Sequence, residues 1–98
     1  MEIKKTANGT DITLALSGRL DTTTAPQLEA ALQDCLNSAD TLTFDFEKLE
    51  YISSAGLRVL LSAQKAMDKK GTMKLHNVCP EIMEVFEITG FSDILTIE

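Results

Sequence analysis

Two neighbouring hydroxyls, Ser53 and Ser54, stand in the stretch EYISSAGLRVLL, between an apolar run and a segment whose leucines and valine recur at helical spacing. Their position sets the chemistry open to them. A helix N-terminus leaves several backbone N–H groups unpaired and carries roughly half a positive charge. Either serine can cap it, a contribution of about 1 kcal/mol. Capping accounts for one hydroxyl. The other is left exposed beside a natural anion site, where an attached phosphate is stabilised locally rather than disrupting the fold. Phosphorylation adds about −1.5 to −2 charges at one surface point, a change able to eject a protein partner without touching the core.

Other chemistries find weaker support. Ser54-Ala55-Gly56 matches the second half of a G-x-S-x-G nucleophile elbow, but position 52 is Ile rather than Gly. The only base on hand is His76, and a triad needs a carboxylate on its far side. In MKLHNV, His76 reads instead as a strand histidine, exposed or hydrogen-bonded. Gly9, Gly18, Gly56, Gly71 and Gly90 are isolated and match neither a P-loop nor a dinucleotide fingerprint. Asp45 and Glu47, two residues apart near a strand end, read as solvated surface charge. Cys35 and Cys79 lack CxxC or His-Cys spacing, and with one histidine they form no recognisable metal ligand set. Cys35 falls on an apolar helix stripe, so a buried, reduced thiol is expected.

The elements that must position the serines alternate between strand and helix. Glu2 to Ala7 and Asp11 to Ser17 read as strands joined by an Asn8-Gly9 turn. Gly18 ends that pairing, and GRLDTTTAPQ forms a connection. Thr24 and Gln27 match a capping box with Pro26 in the first turn. Leu28, Ala31, Leu32, Cys35 and Leu36 then line one helix face up to about Asn37. Leu42, Phe44 and Phe46 alternate with Thr43 and Asp45, giving a strand over Thr41 to Phe46. A second helix is predicted from about Ser54 to Lys70, with Gly71 as its stop. Met73 to Val78 reads as a strand. A short helix after Pro80 points Ile82, Met83, Phe86 and Ile88 inward and closes at Gly90. Ile94 to Ile97 reads as a final strand or an edge extension. The order β-β-α-β-α-β-α-(β) is an α/β (α+β) arrangement: a mixed sheet of four to five strands with helices mainly on one face.

The bulk composition bounds the function classes. Ninety-eight residues with 44% apolar and 24% charged content are those of one globular domain, residues 1–98. No run approaches the roughly 20 apolar residues that span a bilayer, and MEIKKTANGTD lacks the apolar stretch of a signal peptide. A cytoplasmic chain with no membrane association is expected. The formal net charge of −6 and scattered basic residues argue against nucleic acid. Acidity of this kind suits solubility, and could also suit a basic protein partner.

Three segments, SGRLDTTTAPQLEAAL, LTFDFEKLEYISSAGLRVLL and the ending VFEITGFSDIL, together resemble the STAS domain family, and within it the small bacterial anti-sigma factor antagonists. The likeness runs over nearly the whole chain in the right order. It implies the family fold, a mixed sheet with helices against one face. It also implies partner switching. In the family, the unphosphorylated antagonist binds an anti-sigma factor that is also a serine kinase, of the GHKL type, and so releases the sigma factor. The kinase inactivates the antagonist by phosphorylating a serine at the start of this helix, and a PPM-type serine phosphatase reverses it.

Matched residue by residue, the resemblance places the acceptor on Ser54, with Ser53 the less favoured candidate, and makes Gly56 the motif glycine. Asp21 and Thr22, Thr23 and Thr24 match a loop near that helix start, on the partner surface. Ser53, Ala55, Gly56, Leu57 and Arg58 complete that surface, with Leu57 and Arg58 expected on the exposed first turn. The chain departs from the commonest family form, Asp-Ser-Ser/Thr-Gly, at two places: Ser53 replaces the aspartate and Ala55 the second hydroxyl. The first change bears on how the acceptor hydroxyl is oriented and on how efficiently a kinase uses it. Phosphate added beside Asp21 and Glu50 would oppose an acidic kinase surface. ATP and magnesium belong to the kinase, so no enzyme activity, cofactor or metal is expected of this chain, and a monomer is expected. The alternative is a stand-alone STAS subunit of a larger complex, such as a lipid-transport ATPase.

Overall fold

The computed structural model describes every residue from Met1 to Glu98. A two-residue loop, Gly9–Thr10, folds β1 (Glu2–Asn8) back antiparallel on β2 (Asp11–Leu20), with Asn8 opposite Asp11. The turn thus sits one residue further on than Asn8-Gly9. From β2 the chain crosses through α1 (Ala25–Leu36) to β3 (Thr41–Ile52), parallel to β2. It crosses again through α2 (Ser54–Asp68) to β4 (Thr72–His76), parallel to β3. The strand order is β1-β2-β3-β4, so both crossovers advance in the same direction. Parallel crossovers are right-handed, which sends both helices to the same face. Helix α3 (Pro80–Thr89) and a single 3-10 turn at Phe91–Asp93 complete the chain.

Strand alternation decides which face they cover. Ile12, Leu14 and Leu16 of β2, Leu42, Phe44 and Phe46 of β3, and Met73 and Leu75 of β4 are all buried. They form one cluster with Leu28, Leu32 and Cys35 of α1, Leu60, Ala63 and Met67 of α2, and Ile82 and Phe86 of α3. Residues between them on the strands, among them Lys4, Thr13, Asp45, Lys74 and His76, point to the opposite face, which no helix covers.

Several expectations are corrected. Gly18 does not end the pairing: β2 continues to Leu20 and β3 to Ile52, past Phe46, by way of two register shifts at Ala15/Ser17 and Gly18/Arg19. Gly18 adopts φ +94, a left-handed conformation glycine reaches without strain, so the strand kinks there instead of stopping. The predicted capping box is absent. Thr24 holds the N-cap position without capping α1, and the Gln27 amide donates to the Met1 carbonyl instead. Helix α2 ends at Asp68, short of Lys70, and β4 ends at His76, short of Val78. Ile88 is 78% exposed, because two residues beyond Phe86 is the far side of a helix. The C-terminal extension is a single parallel bridge, Leu75 to Ile97.

Other expectations hold. Cys35 is a fully buried free thiol, and burial raises its pKa above the usual thiol value. The His76 ring meets Glu98 Oε1 at 2.8 Å. Asp45 accepts from the Glu47 N–H and the Asn77 amide on the open face.

Candidate phosphorylation and partner-binding site

Strands β2 and β3 are parallel, so their C-terminal ends lie side by side, Leu20 opposite Ile52. Each end runs into the N-terminus of a helix. The two loops that carry the candidate residues, Asp21–Thr24 and Ser53, are therefore brought together by strand register. The Ser53 N–H donates to the Leu20 carbonyl at 2.9 Å and ties one loop to the other.

Ser53 is extended (φ −100, ψ 175), and its Oγ accepts from the Gly56 N–H at 3.4 Å. It is the N-cap. Ser54 is the first residue of α2, is exposed, and its hydroxyl has no partner within the chain. The division of labour between the two hydroxyls is thus visible in the geometry: one closes the helix end and the other faces solvent. Ala55 is half-buried against the core. Gly56 is buried, and a Cβ there would lie 2.7 Å from Leu20 Cγ and 2.9 Å from Ile52 Cγ1. Only glycine lets the first turn of α2 lie this close to the two strand ends.

Arg58 is exposed one turn beyond Ser54, as anticipated. Leu57 is not. It is 7% exposed and belongs to the core cluster, on the helix face it shares with Leu60 three residues on.

The Asp21 loop is organised by one carboxylate. Asp21 Oδ1 accepts from the Thr23 hydroxyl at 2.7 Å, the Thr23 N–H at 3.0 Å and the Thr24 N–H at 3.1 Å. The Thr24 hydroxyl accepts from the Asp21 N–H at 2.8 Å and lies 2.8 Å from the Arg19 carbonyl, to which it donates. Thr22 is exposed at the tip. Hydrogen bonds to the charged form, the Thr23 hydroxyl foremost, hold the Asp21 carboxyl below its usual 3.8 against the opposing effect of partial burial. Asp21 is an ionised, pre-formed feature of this surface.

Two further residues share this end of the sheet and escaped the sequence reading. Arg19 and Tyr51 are register partners on β2 and β3, and the Arg19 guanidinium carbon lies 4.1 Å from the Tyr51 ring centroid. They could have been found only by extending both strands past Gly18 and Phe46.

Known proteins resemble this chain in both sequence and fold. A family model described as "Mlab, STAS domain" matches residues 3–96. BtrV of Bordetella bronchiseptica, provisionally named an anti-sigma factor antagonist, is 39% identical over 84 residues, covering 84% of this chain and 72% of that protein. The anti-sigma-B factor antagonist of Bacillus subtilis is 30% identical over 98 residues, covering 99% and 88%. Among solved structures, the anti-sigma factor antagonist SpoIIAA in its unphosphorylated form superposes with a TM-score of 0.85 at 20% identity, covering 99% of this chain and 88% of that one.

Proposed function

The chain belongs to the STAS domain family, and we propose that it is an anti-sigma factor antagonist switched by phosphorylation of Ser54. The observation that carries this reading is the pair of serines: Ser53 caps α2, and the Ser54 hydroxyl beside it is exposed and uncommitted. In the unphosphorylated state the neutral surface of Ser54, the Asp21–Thr24 loop and Arg58 docks on an anti-sigma factor and displaces its sigma factor. The relatives named as antagonists support this partner class.

The anti-sigma factor is also the kinase, of the GHKL type. The Ser54 hydroxyl oxygen attacks the γ-phosphorus of the kinase's ATP, the bond to the β-phosphate oxygen breaks, ADP leaves, and the hydroxyl proton passes to a base on the kinase. The product is a phosphate at the first position of α2, next to the unpaired N–H groups of the helix end. It adds negative charge at the strand ends where the loop of ionised Asp21 also lies, and an acidic kinase surface is repelled. A PPM-type phosphatase restores the hydroxyl. The chain supplies surface and acceptor, not catalysis, and takes no cofactor of its own.

Under the alternative, a STAS subunit of a lipid-transport ATPase, the exposed Ser54 hydroxyl has no task. The deciding experiment incubates the purified chain with the anti-sigma kinase of the same genome and ATP, read by intact mass. One phosphate is expected on the wild type and none on Ser54→Ala. A Ser54→Ala chain that still gains phosphate moves the acceptor elsewhere. Co-purification with a membrane ATPase in place of a kinase supports the alternative.

A further inference from the structure

Arg19 is out of character with its surroundings. It is one of only nine basic residues in a chain of net charge −6, and its side chain is 60% exposed. Its single ion pair is long, Nε to Asp21 Oδ2 at 3.8 Å, while the other oxygen of that carboxylate is engaged with Thr23 and Thr24. The terminal guanidinium nitrogens have no acceptor within the chain. Yet the group is not loose, because it stacks on Tyr51, itself 40% exposed. Leu20 and Ile52, the next residues along, are buried, so the Arg19–Tyr51 pair faces the open side of the sheet. It sits at the end of the sheet where Ser53 and Ser54 begin α2, three residues beyond Tyr51.

We propose that the Arg19–Tyr51 stack is the anchor of the docking surface around Ser54, and that it receives an acidic patch on the anti-sigma factor. Tyrosine and arginine are the side chains that most often dominate binding energy when they fill a partner's pocket. Stacking orders two long side chains before binding, which lowers the entropy lost on association. The planar guanidinium keeps its terminal N–H donors for a carboxylate in bidentate geometry, which a lysine cannot reproduce. A net acidic chain would on average repel an acidic partner. Arg19 supplies the local complement that fixes orientation and register. Tyr51 is three residues before Ser54 at the same end of β3, which ties the anchor to the switch.

This inference rests on the antagonist reading, and the test separates the two. The full chain is titrated against the anti-sigma kinase that phosphorylates it, using wild type, Arg19→Glu, Arg19→Lys, Tyr51→Ala and Ser54→Glu, with melting curves for each. Arg19→Glu and Tyr51→Ala are expected to weaken binding by about tenfold or more. Arg19→Lys should fall between them and wild type, with all melting curves superposed. Wild-type binding should also lose more affinity with added salt than Arg19→Glu binding does. Should Ser54→Glu weaken binding while Arg19→Glu and Tyr51→Ala bind like wild type, the anchor is wrong and the Ser54 reading stands. Absence of any wild-type complex sinks both. A matching loss of thermal stability, or an effect confined to self-association of the chain, also overturns the anchor.

Discussion

Asp21 shows how much one side chain can organise. Its Oδ1 gathers the Thr23 hydroxyl and two backbone N–H groups, and each of these bonds favours the ionised carboxylate. The Thr23 hydroxyl is the largest contributor to the lowered pKa. Replacing it in Thr23→Val removes that donor while keeping both N–H bonds, so the Asp21 pKa should rise toward its ordinary 3.8. An NMR titration of the Asp21 carboxyl checks this, and an unchanged value in Thr23→Val rules it out. The sign of the stability effect follows from linkage. A depressed folded-state pKa stabilises the fold above the unfolded value, and that contribution disappears as pH falls through the lowered one. The wild-type loop should therefore loosen only below about pH 3.8, and the Thr23→Val loop at a less acidic pH. The bond from the Thr23 N–H follows an ordinary spacing rule, an aspartate accepting from the backbone two residues on. Asp-Thr-Thr-Thr reads as a turn, and it even resembles a family loop. That Thr24 turns its hydroxyl back to Asp21 and Arg19 rather than forward to cap α1 depends on where β2 ends, which the local sequence conceals.

At the scale of elements, Gly56 couples the site to the sheet. The first turn of α2 rests on Leu20 and Ile52, and a methyl group at position 56 would enter the space of both side chains. Alanine improves intrinsic helix propensity by about 1 kcal/mol over glycine. Overpacking a filled core usually costs about 1–3 kcal/mol. With contacts this close the clash outweighs the gain in propensity, so Gly56→Ala should be net destabilising by up to about 2 kcal/mol, measured by urea unfolding with an unchanged slope. A stabilised Gly56→Ala protein would mean that α2 can lift off the strand ends. Helix α2 itself was legible because apolar residues recur along it between a serine cap and Gly71. The strands were less so. Apolar alternation in β3 breaks at Glu47 and Lys48, both exposed, before Leu49 and Ile52 return to the core. A pattern rule stops at the break, whereas the paired strand passes it by shifting register. That is why Arg19 and Tyr51, which face each other only beyond the shift, could not be paired from sequence.

At the scale of the whole molecule, the proposed switch residue lies outside the core, and charge must carry the effect of its phosphorylation. Ser54 and Arg58 are exposed at one end of the sheet, while the buried cluster runs from Ile12 to Leu95 without either of them. A phosphate there therefore changes the surface field and leaves the fold intact. Two electrostatic routes can weaken an acidic partner's grip. One is general: about two charges join a chain already at −6. The other is local: under the proposal, the phosphate would meet a carboxylate of the partner across the interface. At 4 Å like charges repel by about 1 kcal/mol in bulk water and by about 4 kcal/mol at the effective dielectric of a protein surface. Salt distinguishes them, because the screening length falls from roughly 10 Å at 0.1 M to about 3 Å at 1 M. The general field then collapses, whereas a contact between desolvated groups persists. Raising salt across that range should thus equalise the association rates of phosphorylated and unphosphorylated chain while a faster dissociation of the phosphorylated form remains. Stopped-flow kinetics with the anti-sigma factor reads both rates. If the difference in affinity vanishes entirely at high salt, the phosphate acts only through the net charge of the chain, and the local arrangement at Ser54 has no part in the switch.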